Sequence, residues 1–338
     1  MGKILVTGGT GYIGSHSAVE LLNAGHEIVI IDNLCNSNKD TVTQIEKITG
    51  KQIKFIKADI TDKAAIEKVF QKTKFDCVFH FAGLKAVGES MSEPIKYYQN
   101  NVGGTVNLLE CMLNHGVNKI VFSSSATVYA AKNKSPIGED AVLETSNVYG
   151  ETKLIIENML KDLCRANKDF CAIILRYFNP IGAHESGLIG ENPNGIPNNL
   201  APYILKVALG ELPHLNVFGS DYKTPDGTGV RDYIHVVDLA RGHICAFEKI
   251  KTNGAHIYNL GTGKGTSVLE IIKSFERALG KPIPYKIAPR RAGDIDSYFG
   301  DPTKAKKELG WVAQFGIDEM CSSQAKFIIK QTSASAKR

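Results

Sequence analysis

Tyr149 and Lys153 stand four residues apart in Asn147-Val-Tyr-Gly-Glu-Thr-Lys153. That spacing puts two side chains on one face of a helix. A phenol beside a fixed ammonium ionises more readily, because a nearby positive charge favours the phenolate. An ordinary tyrosine titrates at ~10, so service as a base near neutrality requires a drop of about 3 units, roughly 4 kcal/mol in favour of the phenolate. One lysine at a wet surface cannot supply that; a lysine together with a bound cation in a closed cleft can. The pair therefore asks for a cofactor. With 12 Tyr and 40 Lys and Arg among 338 residues, chance alone can place such a pair, so its weight depends on the rest of the chain.

The N-terminal residues offer a cofactor site. Lys3–Thr7 is a short apolar run that reads as a buried strand. It leads into Gly8-Gly9-Thr10-Gly11-Tyr12-Ile13-Gly14. The spacing Gly9-x-Gly11-x-x-Gly14 permits a tight turn, close backbone approach to a pyrophosphate and close packing of helix on strand. A helix over residues 15–23 follows, with Gly25 placed to end it. A second strand, residues 27–31, delivers Asp32, 18 residues after Gly14. An acid near that position binds the adenosine ribose hydroxyls and disfavours a 2′-phosphate, so NAD is expected rather than NADP.

The alternation continues. A strand over 53–58 ends at Asp59, and Asp62 caps a helix over 62–71. A strand over 76–81 runs into Ala82-Gly83-Leu84-Lys85, and a long helix covers 94–114. A strand over Lys119–Ser123 ends at Ser124-Ser125. The helix over 147–167 carries Tyr149 and Lys153, and a sixth strand covers 171–176. Such alternation builds a parallel sheet with helices on both faces. Ligands then lie beyond the carboxyl ends of the strands, where Gly8 to Gly14, Asp32, Asp59, Ala82 to Lys85, Ser125 and residues 177–179 all fall. Ser125 is placed to hydrogen-bond a substrate hydroxyl while Tyr149 takes the proton; alternatively, Ser123 to Ser125 merely cap a strand.

Beyond Phe178 the texture changes. Residues 179–199 read as an irregular segment over the cleft, and 222–229 as a turn-rich stretch. Strand and helix return over 230–248, with a further strand over 258–260. Residues 289–294 form a basic loop, 301–309 a short polar helix, and 333–338 a mobile tail. The expected architecture is α/β: a Rossmann-type doubly wound parallel sheet with a smaller α/β substrate-binding lobe. Residues 1–178 with about 230–262 make the dinucleotide domain; 179–229 and 263–338 make the lobe.

Composition excludes several classes. Hydrophobic content of 43% and charged content of 22% suit an ordinary globular protein. The net charge of +5 is spread along the chain without a basic stripe, so no nucleic-acid partner is expected; the mild excess suits an anionic small molecule. Seven cysteines without Cys-x-x-Cys indicate neither a disulfide framework nor a zinc site. Nine histidines without ligand spacing argue against metal. The N-terminus lacks a signal-peptide layout and no apolar run reaches transmembrane length. Val6 stands where N-myristoylation needs Ser or Thr. A cytoplasmic protein without a membrane partner is expected.

Thr7-Gly-Gly-Thr-Gly-Tyr-Ile-Gly14, Ser125 and Tyr149-x-x-x-Lys153 resemble the extended short-chain dehydrogenase/reductases. Four longer segments resemble the UDP-glucose 4-epimerases among them: His80-Phe-Ala-Gly-Leu-Lys-Ala-Val-Gly-Glu-Ser90, Phe122-Ser-Ser-Ser-Ala-Thr-Val-Tyr129, Leu175-Arg-Tyr-Phe-Asn-Pro180 and Gly227-Thr-Gly-Val-Arg-Asp-Tyr-Ile-His235. The likeness runs from about residue 3 to about residue 320. It implies a reversible, NAD-dependent interconversion of UDP-galactose and UDP-glucose. Tyr149 as phenolate removes the sugar 4-hydroxyl proton, NAD takes the C4 hydride, the 4-keto sugar turns over, and hydride returns to its opposite face. Lys153 and the nicotinamide charge hold down the Tyr149 pKa, and NAD stays bound.

The resemblance also implies site residues. Cofactor contacts are Gly8, Gly11, Tyr12, Ile13, Gly14, Asp32, Asn33, Leu34, Cys35, Asn36, Ser37, Asp59, Ile60, Phe81, Ala82, Gly83, Leu84, Lys85, Asn100, Ser125, Tyr149, Lys153 and Phe178. Nucleotide-sugar contacts are Lys85, Ser125, Tyr149, Phe178, Asn179, Asn199, Leu200, Asn216, Val217, Phe218, Arg231, Arg291, Asp294 and Tyr298. Arg231 and Arg291 suit a diphosphate on chemistry alone, since guanidinium binds it bidentately; surface ion pairing is their other reading. Sugar 4,6-dehydratases carry acids just after the catalytic Ser/Thr, where this chain has Ala126 and Thr127, so the keto intermediate is expected only to be reduced again. A bulky Tyr298 implies preference for UDP-glucose and UDP-galactose over N-acetylated sugars. Ala130-Ala131 departs from a common Gly. Residues 94–114 and 150–167 are expected to pair with those of a second subunit in a homodimer. The alternatives are a dehydratase, a decarboxylase, a UDP-N-acetylhexosamine 4-epimerase, or a non-catalytic cofactor sensor; sensors of that kind usually lose the catalytic Tyr or Lys, and both are present here.

Overall fold

Strand β1 (Lys3–Thr7) is buried over its last four residues, and strands pair with it on both sides. The computed structural model describes residues 1–193, 197, 199–291 and 293–335. After β1 come α1 (Tyr12–Asn23), β2 (Glu27–Asp32), α2 (Asp40–Thr49), β3 (Lys54–Lys57), α3 (Lys63–Lys72) and β4 (Cys77–His80). Then follow α4 (Val87–Ser92), α5 (Pro94–Tyr97), a π-helical segment (Tyr98–Gly103), α6 (Gly104–Asn114), β5 (Lys119–Ser123), α7 (Val148–Ala166) and β6 (Cys171–Tyr177). The remainder comprises β7 (Asn179–Ile181), α8 (Leu200–Ala208), β8 (Leu215–Phe218), β9 (Val230–Arg231), β10 (Tyr233–His235), α9 (Val236–Lys249), β11 (Gly254–Leu260), β12 (Thr266–Ser267), α10 (Val268–Leu279), β13 (Tyr285–Ala288), β14 (Ser297–Tyr298) and α11 (Ile317–Ser335).

The main sheet has seven strands in the order β11-β6-β5-β4-β1-β2-β3, and the pairings from β6 through β3 are parallel. The strand order reverses between β1 and β4, the switch point at which doubly wound sheets bind ligands. Apolar residues of the sheet, among them Leu5, Val29, Val78, Ile120 and Ile174, pack with Ile66, Phe70, Leu108, Met112, Ile156 and Leu160 from the helices. Side-chain caps set two helix starts: Asp62 accepts from the Ala65 amide at 3.0 Å and Asn147 from the Gly150 amide at 2.8 Å.

The chain forms two compact units. One holds Met1–Ala130, Val142–Arg176 and Ala240–Tyr258; the other holds Ala131–Ala141, Tyr177–Leu239 and the residues from Asn259 onward. The second unit has its own core, built from Ile204, Leu205, Leu215, Val217, Ile271, Phe275 and Met320. Its strands pair as β10-β7, β12-β9-β14 and β13-β8.

Several expected boundaries shift. The first helix starts at Tyr12 rather than residue 15, because the glycine turn itself provides the extended N-cap at Gly11. The long helix over 94–114 is interrupted by the π-helical segment, a feature frequent at functional sites. Helices α2, α4, α8, α10 and α11 were not anticipated. Residues 333–335 of the expected tail belong to α11, and 336–338 lie outside the described residues. So do 194–196 and 198 of the irregular segment and Ala292 of the basic loop. Among the described residues, no helix is long and apolar enough to cross a membrane, and no group of three or more metal-ligating side chains occurs. All seven cysteines are free thiols.

One ion pair lies inside the first unit. Arg176 on β6 donates Nε to Glu157 Oε1 at 2.9 Å and Nη2 to Oε2 at 2.6 Å, and both side chains are almost fully buried. Such a pair repays its desolvation only with good geometry, and removal of one partner strands the other charge. Arg176→Met is expected to lower stability by about 3–5 kcal/mol in urea unfolding. A loss below about 1 kcal/mol would contradict that.

Candidate active site

The turn after β1 is laid backbone on backbone. Gly8 adopts a left-handed φ of +68°, and a Cβ there would sit 2.7 Å from the Ala82 amide nitrogen. A Cβ on Gly14 would sit 2.2 Å from the Gly8 carbonyl oxygen. Only glycine fits either position. The turn opens into α1, whose N-cap Gly11 makes no side-chain capping bond, so its first amides suit a phosphate.

Asp32, at the end of β2, gathers the neighbouring loop. It accepts from the Thr10 amide at 3.2 Å, the Leu34 amide at 2.9 Å and the Ser37 hydroxyl at 3.0 Å. Leu34 is held in left-handed geometry at φ +64°, a strained conformation that surrounding bonds must enforce. The Cys35 amide donates to Asn33 at 3.0 Å, and Asn36 is exposed. Asn33 also donates to Asp59 at 2.8 Å. Burial pushes the Asp59 carboxyl up, but hydrogen bonds from Asn33 and Thr61 outweigh it and hold the group below the usual range. Ile60 is buried, close to Gly104. Glycine turn, open helix start and the carboxylate at the end of β2 form a set of donors and an acceptor that fits a dinucleotide.

Across the switch point, the Ala82 amide donates to Thr7 at 3.3 Å and the Phe81 ring lies 5.0 Å from that of His243. Gly83 and Lys85 are exposed. Asn101, in the π-helical segment, accepts from the Leu84 amide at 2.8 Å and donates to the Leu84 carbonyl at 3.0 Å and to Thr152 at 3.0 Å. Asn100 donates to Asn101 at 2.8 Å. Thr152 in turn donates to the Tyr149 carbonyl at 2.7 Å. Asn101 thus ties the loop after β4 to α7. The sequence reading missed it; a doublet of asparagines inside an apolar-periodic helix was the available signal.

Ser125, Tyr149 and Lys153 come together in the first unit. Lys153 is 6% exposed. Its ammonium donates to the Ser123 carbonyl at 2.7 Å and lies 4.8 Å from the Phe122 ring centre and 5.9 Å from that of Tyr149. The Tyr149 amide donates to the Ser90 hydroxyl at 3.1 Å. Ser125 accepts from the Thr127 amide at 3.2 Å, capping a short turn, and its hydroxyl lies near enough to Tyr149 to favour the phenolate. The capping reading of Ser125 is thus met in the structure.

Burial dominates the charge balance of the pair. Burial drives the Lys153 ammonium down to about 8, with Glu157 pulling the other way. Burial also pushes the Tyr149 phenol up, offset only in part by Ser125. Lys153 does not by itself bring Tyr149 down: the phenolate loses more water than its protein neighbours replace. His80 lies nearby, bonded to Thr7 at 2.7 Å and Thr105 at 2.9 Å. It is pushed down to about 3 by burial and then by Lys153.

The second unit holds the other expected residues. Phe178 packs on Tyr298, ring centres 5.6 Å apart, and over Gly300, where a Cβ would be 2.4 Å away. The Asn179 amide donates to the Asp232 carbonyl at 3.0 Å. Asn199 donates to Glu191 at 2.8 Å just before Leu200 begins α8. On β8, Asn216 and Phe218 are exposed and Val217 is buried. Arg291 binds Asp294 with both Nε, at 2.8 Å, and Nη2, at 3.1 Å, and stacks over Phe218 at 4.9 Å. Arg231 reaches the same carboxylate at 3.6 Å and donates to the Val230 and Ile295 carbonyls. Two guanidinium groups thus share one acid. Arg290, stacked 3.9 Å over Tyr222, was not anticipated, although it adjoins Arg291 in sequence.

Residues 4–261 match the family model for the NAD dependent epimerase/dehydratase family. The chain is 58% identical over 320 residues to a UDP-glucose 4-epimerase of Bacillus subtilis, covering 94% of each. It is similar to the crystal structure of a UDP-glucose 4-epimerase from Bifidobacterium longum in complex with NAD+ and UDP, with a TM-score of 0.94 and 52% identity over 98% of this chain and 99% of that one. A structure of the Stenotrophomonas maltophila enzyme with bound NAD and formylated UDP-arabinopyranose has a TM-score of 0.96 and 47% identity over 99% and 100% of the two chains.

His80 yields a pH prediction. Its native value of about 3 lies below the ~6.5 of an unfolded histidine, so the unfolded chain binds the proton first as pH falls. The stability due to neutral His80 is complete above pH ~6.5 and drains away below it, at up to about 1.4 kcal/mol per pH unit, until about pH 3. His80→Gln should flatten the loss of unfolding free energy between about pH 6 and pH 4 by roughly that slope. Identical slopes in variant and parent would contradict the assignment.

Proposed function

The chain belongs to the NAD dependent epimerase/dehydratase family, and we propose that Ser125, Tyr149 and Lys153 are its proton-transfer set. Its reaction is the reversible, NAD-dependent interconversion of UDP-glucose and UDP-galactose by inversion at sugar C4. The observation that carries the assignment of residues is the burial of a phenol, an ammonium and a neighbouring hydroxyl at the end of β5 and the start of α7.

NAD, when bound, accepts the hydride from sugar C4 and returns it. The amides at the start of α1 and the glycine turn hold its pyrophosphate, and Asp32 holds the adenosine ribose. Asn33 to Ser37, Asp59, Ile60, Phe81 to Lys85 and Asn100 line the adenosine and nicotinamide portions. Ser125 orients the sugar 4-hydroxyl. The Tyr149 oxygen takes the hydroxyl proton and later restores it. Lys153 supplies fixed positive charge beside Tyr149, in a dry setting where charge acts strongly.

For the nucleotide sugar, Arg231 and Arg291 bind the diphosphate, because guanidinium pairs with it as they now pair with Asp294. Asn199, Leu200, Asn216, Val217 and Phe218 receive the uridine side. Asn179, Phe178 and Tyr298 border the hexose, and the bulk of Tyr298 disfavours an N-acetyl group. Ala126 and Thr127 offer no acid for elimination, which sets the chain apart from dehydratases. Residues 1–178 with about 230–262 serve the cofactor, and 179–229 with 263–338 the nucleotide sugar.

The seven free thiols favour a cytoplasmic location. Met91 at 59% exposure and Ile95 at 66%, together with exposed Val87 on α4 and Val106 on α6, favour pairing of this helical region with a second copy.

Tyr149→Phe should lower kcat for conversion of UDP-galactose, assayed without added NAD, by about 10²–10⁴-fold with KM little changed. Turnover at the parental rate would contradict the role. Met91→Glu with Ile95→Glu should convert a dimer to a monomer in sedimentation velocity. An unchanged sedimentation coefficient would contradict the interface.

A further inference from the structure

Glu157 sits one helical turn beyond Lys153 on α7, and its side chain is fully buried. Oε1 accepts from Ser124 Oγ at 2.6 Å and from Arg176 Nε at 2.9 Å. Oε2 accepts from Arg176 Nη2 at 2.6 Å, with Lys161 at 3.6 Å. Arg176 also donates to the Tyr129 hydroxyl at 3.0 Å and lies over that ring at 4.8 Å. Buried ion pairs can often be replaced by apolar side chains of similar volume at little cost, so stability alone does not account for this one.

Its connection through Ser124 does. Ser124 stands between Ser123, whose carbonyl receives the Lys153 ammonium, and Ser125, whose hydroxyl lies near Tyr149. The Ser124 amide is pinned as well, donating to the Leu175 carbonyl at 2.9 Å. The buried carboxylate therefore grips the one residue that separates the two anchors of the reacting pair.

We propose that Glu157 is a positioning residue for proton transfer: through Ser124 it fixes the strand end that holds the Lys153 ammonium and the Ser125 hydroxyl. The proposal rests on Tyr149 and Lys153 being the proton-transfer pair. Lys153 is faced by Tyr149 and Glu157 from α7, His80 from β4, and Phe122 and the Ser123 carbonyl from β5. Arg176 and Lys161 pair with Glu157. Of these, Glu157 is the group whose charge favours the protonated lysine. With Glu157 neutralised, Lys153 loses its proton at lower pH, so the alkaline limb of the rate profile moves toward lower pH.

Glu157→Gln in the full-length, NAD-loaded protein tests this. Lys153 is titrated by NMR of its side-chain nitrogen, assigned with Lys153→Met, and kcat and KM for UDP-galactose are measured across pH. The expected result is a Lys153 titration at lower pH, an alkaline limb moved with it, kcat reduced about 10- to 100-fold and KM held within about twofold. In a folded variant, either an unmoved titration or a kcat within about twofold of the parent overturns the proposal. If Glu157→Gln does not fold, Ser124→Ala, which leaves the ion pair intact, carries the test. It should lower kcat about tenfold at constant KM, and parental kcat overturns the proposal. A parent without epimerisation would instead sink the functional reading, while the Lys153 titration would still decide the charge effect.

Discussion

Loss of water around Lys153 and Tyr149 is the constraint from which the rest of the site follows. Each is driven toward its neutral form, the ammonium down to about 8 and the phenol above its ordinary value. The proposed proton-transfer role needs the opposite, a charged lysine and an ionised tyrosine. Within a poorly solvated site a single additional positive charge has a large effect, because interactions between charges grow as the effective dielectric falls. The protein is thus built to respond to a charge that its own side chains do not supply. That is the physical reason a tightly held nicotinamide suits this arrangement.

The scaffold makes the constraint possible. A parallel sheet whose order reverses between β1 and β4 brings four loops to one edge. Gly8 lets two of those backbones touch and Gly14 lets α1 close on its own turn, and no side chain could replace either. Asn101 joins the loop after β4 to α7, and the Arg176–Glu157 pair joins β6 to α7. α7 is therefore fixed by polar bonds near its start and in its third turn while its apolar face is held by the core. Buried polar networks of this sort are worthwhile only when fully satisfied.

Much of this was legible in the residues. The glycine spacing, Asp32 at the end of β2 and the four-residue step from Tyr149 to Lys153 are local patterns governed by turn geometry and helical period. The alternation of strands and helices gave the doubly wound sheet. What stayed hidden depended on distance or brevity. The direction of the Tyr149 shift depends on burial by residues far away in sequence. Glu157 and Arg176 are 19 residues apart and meet only when β6 packs on α7. Strands β9, β12 and β14 are two residues long, too short for any period. Helix α10 is a different kind of omission: Ser267 and Glu270 form a capping box and Gly280 ends the helix in left-handed geometry, signals present in the sequence and left unread.

The measurement that bears most directly on the role of burial is a pH titration of tyrosinate absorbance, taken as the difference between the parent and Tyr149→Phe, in NAD-loaded and cofactor-stripped protein. The account predicts that Tyr149 ionises above ~10 in the stripped protein and well below it in the loaded protein. Ionisation at the same pH in both would contradict it.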